Sequence, residues 1–217
     1  MSNNAESVLR AGLAELHLSL SNAQVQGLLD YQNLIGKWNK VYNLTAVRDP
    51  AEMLTHHLLD SLAAVAPLQK HLQNRSLTNA RVLDVGAGAG LPGVVLAICC
   101  PTLALTCVDT VGKKAAFIKH VALALGLPNL MGLHARVETI TQPFDVICSR
   151  AFASLADFTG WSQAAMAPGG VWMALKGKHP AEELAMLPPK VAMFHVEPLT
   201  VPGLAAERCI IWLQKAG

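Results

Sequence analysis

Long apolar runs, a basic leader and paired cysteines are all missing from this sequence. No apolar run approaches the ~20 residues that a helix needs to cross a bilayer, and residues 1–6 lack the basic-then-apolar profile of a secretory signal. The five cysteines form no C-x-x-C pair, which argues against a zinc site or a thioredoxin-like motif. We therefore expect a soluble cytoplasmic protein whose cysteines are small buried residues in a reducing compartment.

Charge is also sparse. Only 15% of the residues are charged, and 17 basic against 15 acidic side chains leave a formal net charge of +2. No long polar or charged tract suggests disorder. So small an excess does not by itself indicate a nucleic-acid-binding protein, although it leaves room for a local basic surface. Apolar residues make up 52% of the chain, enough for a sizeable core in one α/β domain with or without an added helical part.

Helical patterns fill roughly the first 70 residues. The Ser-Asn-Ala-Gln segment at residues 21–24 is a capping-box pattern, and apolar residues follow it at helical spacing. The Asp-Pro-Ala-Glu segment at residues 49–52 predicts a second helix start, with Pro50 at the first helical position and Glu52 able to reach back to the cap. We expect Pro67 to end that helix or to follow its end.

From residue 81 onward, short β-branched or apolar runs alternate with helical stretches. This alternation predicts a mostly parallel sheet with helices on both faces. The last two strands are joined through Pro198, Pro202 and Gly203 without a helix, so we expect an antiparallel pair at one edge. The predicted strands are residues 81–85, 103–108, 129–134, 144–148, 171–175, 191–196 and 209–213, and the predicted helices lie around residues 94–99, 113–125, 155–166 and 181–187.

No internal repeat or low-complexity linker separates the helical part from the α/β part. We therefore predict a helical cap over residues 1–75 that packs on an α/β domain over residues 76–217, rather than an independent module. In open sheets of this kind, ligands bind at the carboxyl ends of the strands, where the strand order reverses.

The first predicted strand runs into a glycine-rich segment, Asp-Val-Gly-Ala-Gly-Ala-Gly at residues 84–90, in which glycines let the backbone approach a ligand closely. Residues 88–93 also match G-x-G-x-x-G, the dinucleotide fingerprint, but that match begins late and Asp84 stands at the strand end. A carboxylate there would repel a pyrophosphate. It would attract the sulfonium and amino groups of S-adenosylmethionine by about 4 kcal/mol at ~4 Å, before desolvation. The segment favours S-adenosylmethionine, with Asp84, Gly86, Gly88 and Gly90 as cofactor-binding candidates.

Two further acids follow predicted strands. Asp109 comes about twenty residues after Gly90, where doubly wound folds place an acid on ribose hydroxyls. NAD sites and S-adenosylmethionine sites share this feature, so it supports nucleoside binding without choosing between them. Glu138, after the third strand, is placed to border the adenine. A helix-capping role for Asp109 and a solvated helix start for Glu138 are the alternatives.

Several segments together resemble the bacterial small-subunit ribosomal RNA methyltransferase G family, also called glucose-inhibited division protein B. The similarity runs nearly end to end, and Gly-Leu-Pro-Gly at residues 90–93 with Ser-Arg-Ala-Phe at residues 149–152 is specific to that family. Ala87 and the Thr-Val pair at residues 110–111 are mild departures. The other similar segments are Trp-Asn-Lys at 38–40, Asn-Leu-Thr at 43–45, His-Leu-Leu-Asp-Ser-Leu at 57–62, Gly-Lys-Lys at 112–114, Arg-Val-Glu at 136–138 and Ala-Leu-Lys-Gly at 174–177.

The resemblance implies a class I S-adenosylmethionine-dependent methyltransferase, with a Rossmann-like seven-stranded sheet, that methylates N7 of a guanine in 16S rRNA. It implies S-adenosylhomocysteine as the product and the small ribosomal subunit as the partner, with no membrane involved, and we expect a monomer. The cofactor-contacting positions that it implies are Gly86, Leu91, Val137, Glu138 and Arg150, with Asp109 as the ribose ligand.

Guanine N7 has a free lone pair and no proton to lose, so the implied reaction requires no general base. Positioning and electrostatics would supply the catalysis, and we expect no single indispensable catalytic residue. Arg150 and Lys176 follow the fourth and fifth strands and are the positioning candidates. They would hold an rRNA phosphate or the guanine edge, or close the cofactor pocket, with surface ion pairs as the alternative.

Other basic residues are candidates for RNA contact. His56 and His57 share a helix with Asp60, but too few ligands meet there for a metal, so we expect RNA contact for one histidine and core packing for the other. Lys37, Lys40 and Arg48 form either a basic face or a solvated helix face. The RNA-binding candidates are Lys40, Arg48, His56, His57, Lys113 and Lys176.

Two other functions fit parts of the pattern. An NAD-dependent oxidoreductase would use the glycines of residues 88–93, and tight NAD binding without S-adenosylmethionine binding would identify it. A ribosome-binding protein that kept the fold but lost turnover would bind the small subunit without methyl transfer.

Overall fold

The computed structural model describes residues 2–216 and begins with a helical part. Two long helices come first, and a run of short helical segments then leads to the sheet. Their bounds are α1 (Ser2–Glu15), α2 (Asn22–Tyr42), α3 (Pro50–Met53), a π-helical segment (Leu54–Leu59), α4 (Asp60–Leu62) and α5 (Val65–Asn74).

Strands and helices alternate through the rest of the described chain. The strands are β1 (Arg81–Val85), β2 (Ala104–Asp109), β3 (Leu130–His134), β4 (Phe144–Arg150), β5 (Met166–Lys176), β6 (Val191–Leu199) and β7 (Arg208–Lys215). The helices among them are α6 (Gly93–Cys99), α7 (Gly112–Ala124), α8 (Leu155–Ser162) and α9 (Ala181–Ala185), with 3-10 turns at Val137–Thr139 and Gln163–Ala165.

The seven strands form one sheet in the order β3-β2-β1-β4-β5-β7-β6. Strands β1 to β5 are parallel, whereas β7 is antiparallel to both β5 and β6. This arrangement confirms the predicted mostly parallel sheet with an antiparallel last pair. The strand order reverses between β1 and β4, so the crevice for a ligand lies at the carboxyl ends of these two strands.

Each predicted strand and helix of the α/β part overlaps an observed one, but β5 begins five residues earlier than predicted. Met166 already pairs with Phe144, and an irregularity follows before Val171 pairs with Val146. Gly169, at φ +71°, lies in the irregular stretch. The apolar run at residues 171–175 marks only the regular part of the strand.

The helical part confirms the capping box and corrects one expectation. Ser21 Oγ accepts from the Gln24 N–H, and the Ser21 N–H donates to Gln24 Oε1. At the next start, the Asp49 carboxylate accepts from two backbone N–H groups, at residues 51 and 52. The expectation for Pro67 is wrong. The helix ends at Leu62, and Pro67 lies in the first turn of α5, where a missing N–H leaves no helical bond unmade.

The helical part packs on the sheet domain through shared apolar contacts. Trp38 of α2 lies 5.2 Å from the Phe117 ring of α7, and the Tyr31 hydroxyl donates to the Ala89 carbonyl at 2.6 Å. On the other face, α8 covers Trp172, whose indole N–H donates to Ser162 Oγ. The division of the chain between residues 75 and 76 stays a prediction. Within residues 2–216, no helix combines the length and apolarity that a membrane span needs.

Candidate active site

The glycine loop between β1 and α6 is tightly wound. Gly86, Gly88 and Gly90 have φ values of +66°, +59° and +92°, a region that disfavours side chains. A Cβ at Gly86 would lie 2.2 Å from the Phe152 ring, and one at Gly90 would lie 2.4 Å from Val94. The loop therefore needs glycine both for its backbone conformation and for its close packing.

Asp84 holds this loop from beneath. Its carboxylate is 0% exposed and accepts from the Gly93 N–H, the first of α6, at 2.8 Å. Burial raises the pKa of Asp84 to about 7, and the bond from Gly93 opposes that rise. The second oxygen, Oδ1, is buried and has no hydrogen-bond partner within residues 2–216. Asp84 lines neither of the cavities described below, so its predicted contact with the cationic end of the cofactor stays a prediction.

Asp109 ties the same loop to β2. One carboxylate oxygen accepts from the Gly88 N–H at 3.0 Å, and the other accepts from the Val111 N–H at 2.8 Å. The ammonium of Lys114 lies 3.8 Å from the first oxygen. Asp109 therefore lies at the end of β2, as predicted for a ribose ligand, and it also makes the capping-type bond that was the alternative role.

Two adjoining cavities open at the carboxyl ends of the strands. The smaller cavity, of about 440 Å³, has Asp109 and Glu138 as its acids and Phe152 and Trp161 as its aromatic wall. Buried Val137 lines it as well. An apolar slot edged by two acids suits an adenosine, whose base packs on apolar surface and whose ribose hydroxyls donate to carboxylates.

The larger cavity, of about 530 Å³, lies beside it and shares Gly86, Lys114 and Ala151 with it. Its floor includes Gly88 and Leu91 of the glycine loop. The remaining walls come from the helical part, from the ends of β4, β5 and β6, and from the start of β7. Its other polar side chains are Thr45, His56, His57, Asp60, Arg150, Lys176, Arg208 and Cys209.

A three-residue ion cluster forms one wall of the larger cavity. Asp60 Oδ2 accepts from Arg150 Nη1 at 2.6 Å, and Asp60 Oδ1 accepts from Arg208 Nε at 2.7 Å. Asp60 is 5% exposed, and the Arg150 guanidinium also donates to the His56 carbonyl. Arg150 therefore stands at the predicted ligand-binding edge while making an ion pair, the alternative that the sequence left open.

Lys176 also makes an ion pair. Its ammonium donates to both carboxylate oxygens of Glu183, at 2.9 and 2.8 Å, and to the Ala153 carbonyl at 3.1 Å. It lines the larger cavity nonetheless. The pair anchors α9 to the end of β5, and Glu183 in turn accepts from the Leu155 N–H.

The two histidines have the different environments that the sequence suggested. His56 is exposed, whereas His57 is buried and its Nε2 lies 2.8 Å from Thr45 Oγ1. Asn39 Oδ1 accepts from the Thr45 N–H and so fixes that loop. Burial, followed by the Arg150 charge, lowers the pKa of His57, so its ring is neutral at neutral pH. RNA contact for His56 stays a prediction.

Some candidates stand apart from both cavities. Gly90 is buried behind the loop, and Lys40, Arg48 and Lys113 are exposed without lining either cavity. Lys114, the residue after the predicted candidate Lys113 in α7, lines both cavities instead. The helical periodicity of α7 could have identified which of the two lysines faces the cavities. Other residues that line the cavities, and that the sequence did not name as site candidates, include Thr45, Asp60, Phe152, Trp161 and Arg208.

The geometry disfavours a dinucleotide at residues 88–93. The Gly93 N–H at the start of α6 already donates to Asp84, and all seven residues of α6 are buried. A pyrophosphate needs that helix start to be open. The strand order also differs from the all-parallel 3-2-1-4-5-6 of dinucleotide folds, because antiparallel β7 lies between β5 and β6.

Comparison with solved structures places the fold among methyltransferases. The chain matches TrmN from Thermus thermophilus with a TM-score of 0.55 and 22% identity, over 75% of this chain and 53% of that one. It matches a SAM-dependent methyltransferase from Aquifex aeolicus with a TM-score of 0.53 and 18% identity, over 77% of this chain and 99% of the other. The fold is that of the class I S-adenosylmethionine-dependent methyltransferases.

Comparison of sequences is more specific. A family model described as rRNA small subunit methyltransferase G matches residues 24–211. A relative from Polaromonas sp. (strain JS666 / ATCC BAA-500), named Ribosomal RNA small subunit methyltransferase G, is 72% identical over 210 residues, which cover 96% of this chain and 93% of the relative. The chain therefore belongs to the rRNA small subunit methyltransferase G family.

Proposed function

We propose that this chain transfers the methyl group of S-adenosylmethionine to N7 of a guanine in 16S rRNA, and that it acts in the cytoplasm as a monomer on the small ribosomal subunit. The observation that carries the proposal is the family membership, since the relative quoted above is named for methylation of small-subunit rRNA. The two adjoining cavities support it, because a methyl transfer needs a cofactor and an acceptor side by side.

The smaller cavity and the glycine loop fit the cofactor. Asp109 would accept from the ribose hydroxyls, and Val137 with Glu138 would border the adenine. Gly86 would let the chain pass close to the cofactor where the cavities meet. Among the described residues, the buried Asp84 Oδ1 has no hydrogen-bond partner, so this carboxyl group is suited to act, when ionised, on a nearby cation through the loop. Gly88, Leu91 and Arg150 would enclose the methionine part from the larger cavity.

S-adenosylmethionine supplies an electrophilic methyl group on a positively charged sulfur, and S-adenosylhomocysteine is left. The chain's own task is to hold the guanine edge in line with that methyl group. Since N7 carries no proton, no side chain has to act as a general base. The lowered pKa of buried His57 makes its ring a weak proton acceptor, which fits a place in the cavity wall. Positioning of this kind can contribute several kcal/mol, up to about 7–11 in well-oriented reactions.

Lys176 and the arginine cluster support the acceptor side of the proposal. Both line the larger cavity, where β4 and β5 end and β7 begins. Lys176 is held by Glu183, so its ammonium is fixed at the rim instead of mobile in solvent. No metal is part of the proposal, and within residues 2–216 no three acidic, histidine or cysteine side chains meet as a metal site.

The experiment is the transfer of tritium from methyl-labelled S-adenosylmethionine to small ribosomal subunits from cells that lack this protein. We expect the label in 16S rRNA. Binding to the subunits without transfer would instead favour a ribosome-binding protein that lost turnover, and would contradict the proposal. Subunits from cells that contain the protein are the matched control, because their site is already methylated.

A further inference from the structure

The larger cavity carries more positive charge than the cofactor calls for. Lys114, Arg150, Lys176 and Arg208 line it, and its only lining carboxylate within the described chain is Asp60. S-adenosylmethionine offers one carboxylate against two cationic groups, so it does not balance such a wall. The excess points to a second, anionic occupant of the cavity.

Two of the four cations are already matched by carboxylates outside this cavity. Lys176 pairs with Glu183 at 2.8 Å, and Lys114 lies 3.8 Å from Asp109. Arg150 and Arg208 differ, because they share the single carboxylate of Asp60. The cluster of these three residues therefore keeps one net positive charge at the cavity wall.

The cluster is a built site. Asp60 is 5% exposed and comes from α4, Arg150 ends β4, and Arg208 begins β7. Arg150 uses only Nη1 for Asp60 and the His56 carbonyl, and Arg208 uses Nε for Asp60 and Nη1 for the Glu207 carbonyl. Among the described residues, no hydrogen bond occupies Nη2 of either guanidinium. The two guanidiniums, held in place by Asp60, therefore keep N–H donors that can bind one more anion.

We propose that Arg150 and Arg208 bind a backbone phosphate of the RNA beside the acceptor guanine, with Asp60 as the positioning residue that holds the two guanidiniums as a pair. This inference rests on the proposed function and specifies where its substrate is held. A buried carboxylate between two arginines fixes their planes before the substrate arrives, so less side-chain entropy is lost on binding.

An anionic oxygen could also come from the carboxylate of the cofactor, and two observations favour the phosphate. Arg208 begins β7, which lies beyond β4 and β5 from the glycine loop in the sheet order, whereas Arg150, which would also border the methionine part, ends β4 directly beside β1. The surplus positive charge of the cavity wall is also matched by RNA, a polyanion, and not by S-adenosylmethionine, which is itself cationic.

The test uses the full chain with Arg208→Gln and, as a matched control, Arg81→Gln. Arg81 is also a strand arginine that pairs with a carboxylate, Asp145. It stands at the amino end of the central strand β1, away from the strand ends that line the cavities. Binding to unmethylated small subunits is measured over a salt series with S-adenosylhomocysteine present, so that no turnover occurs. Cofactor affinity is measured by calorimetry on the same proteins.

We expect Arg208→Gln to weaken subunit binding at least about tenfold and to lower the slope of log affinity against log salt by about 0.7–0.9, the value for one lost phosphate contact. Its cofactor affinity should stay within about twofold, and Arg81→Gln should match the wild type in both measurements. An unchanged slope would overturn the proposal. A large loss of cofactor affinity with an unchanged slope would assign the pair to the cofactor carboxylate and would equally overturn it.

Asp60→Asn sets positioning against charge. The variant keeps both arginines but removes the carboxylate between them, a change of charge that alone would strengthen phosphate binding. If Asp60 positions the pair, we expect the lost positioning to outweigh that gain, so that the KM for subunits rises about fivefold or more while kcat and cofactor affinity change little. Thermal unfolding checks that the variant is folded. A wild-type KM in a folded Asp60→Asn variant would overturn the positioning role. Methyl transfer by the wild type, assayed in parallel, tests the proposed function separately, so the two failures are distinguishable.

Discussion

Asp84 makes the stability of this protein depend on pH in an unusual direction. The carboxyl is 0% exposed, and burial raises its pKa from 3.8 to about 7 in the folded chain. An ordinary salt-bridged carboxylate stabilises a protein as pH rises. Here the folded state holds a proton that the unfolded chain releases, so the contribution of Asp84 to stability is present at low pH and is lost as pH rises through 7.

The perturbation is Asp84→Asn. Asparagine resembles the protonated acid, and its side-chain oxygen can still accept from the Gly93 N–H, but it does not titrate. The raised pKa spans about three pH units, which corresponds to about 4 kcal/mol for the whole titration at 1.36 kcal/mol per unit. Between about pH 5.5 and about pH 8, the free energy of unfolding of the wild type should therefore fall by about 2 kcal/mol relative to the variant.

The assay is urea unfolding of both proteins across that pH range, followed by circular dichroism. The difference between the two curves isolates Asp84, because groups such as His57, whose lowered pKa acts in the opposite direction below neutral pH, are common to both proteins. A difference that stays flat with pH would refute the reasoning. It would mean that the carboxylate is ionised in the folded chain as readily as in the unfolded one.

Other predictions concern the glycine loop and its supports. Gly86→Ala should abolish cofactor binding measured by calorimetry, because its Cβ would meet the Phe152 ring at 2.2 Å. The control is Gly126→Ala, whose Cβ would have no atom within 4 Å although φ is +61°. It should keep wild-type cofactor affinity and lose only ~1 kcal/mol of stability. Tyr31→Phe leaves the Ala89 carbonyl without its 2.6 Å bond and should cost about 1–3 kcal/mol in urea unfolding; no loss would show that water replaces the hydroxyl. Asp109→Asn should weaken cofactor binding about 10- to 100-fold, and an unchanged dissociation constant would remove Asp109 as the ribose ligand.

The α/β part was predictable because buried parallel strands are continuous apolar runs that turn signals separate. The antiparallel last pair was predictable because the short segment between β6 and β7 is interrupted by Pro202 and Gly203, which leaves no room for a crossover helix. The start of β5 was not predictable, since the Pro-Gly-Gly at residues 168–170 is typical of a turn, whereas the strand continues through it with a shift of register between Met166 and Val171.

The helical part was predicted as helical but not in its details. Leu54, Leu58 and Leu62 recur every four residues, which fits an α-helix, yet residues 54–59 form a π-helical segment. Such a segment widens the turn that carries His56 and His57, and the spacing of the leucines does not distinguish it from an α-helix. Pro67 was assigned to a helix end because proline usually stops a helix, but the first turn of a following helix tolerates it equally well.

The cofactor side of the site follows from local sequence, whereas the acceptor side does not. Gly86 and Asp109 lie at strand ends, and the strand pattern alone places them at one edge. Arg208 lies 148 residues from Asp60 along the chain, so nothing local links the two. For Asp84 the position at the end of β1 was predictable from the sequence, but its burial beneath the glycine loop was not.

The most direct test of the central claim is a map of methylated guanines in 16S rRNA from cells with and without this protein. We expect one N7-methylguanine that disappears on deletion and returns when the wild-type chain is restored. An Asp109→Asn chain should restore it poorly. An identical N7-methylation map in the two strains would show that this chain does not methylate a guanine N7 in 16S rRNA.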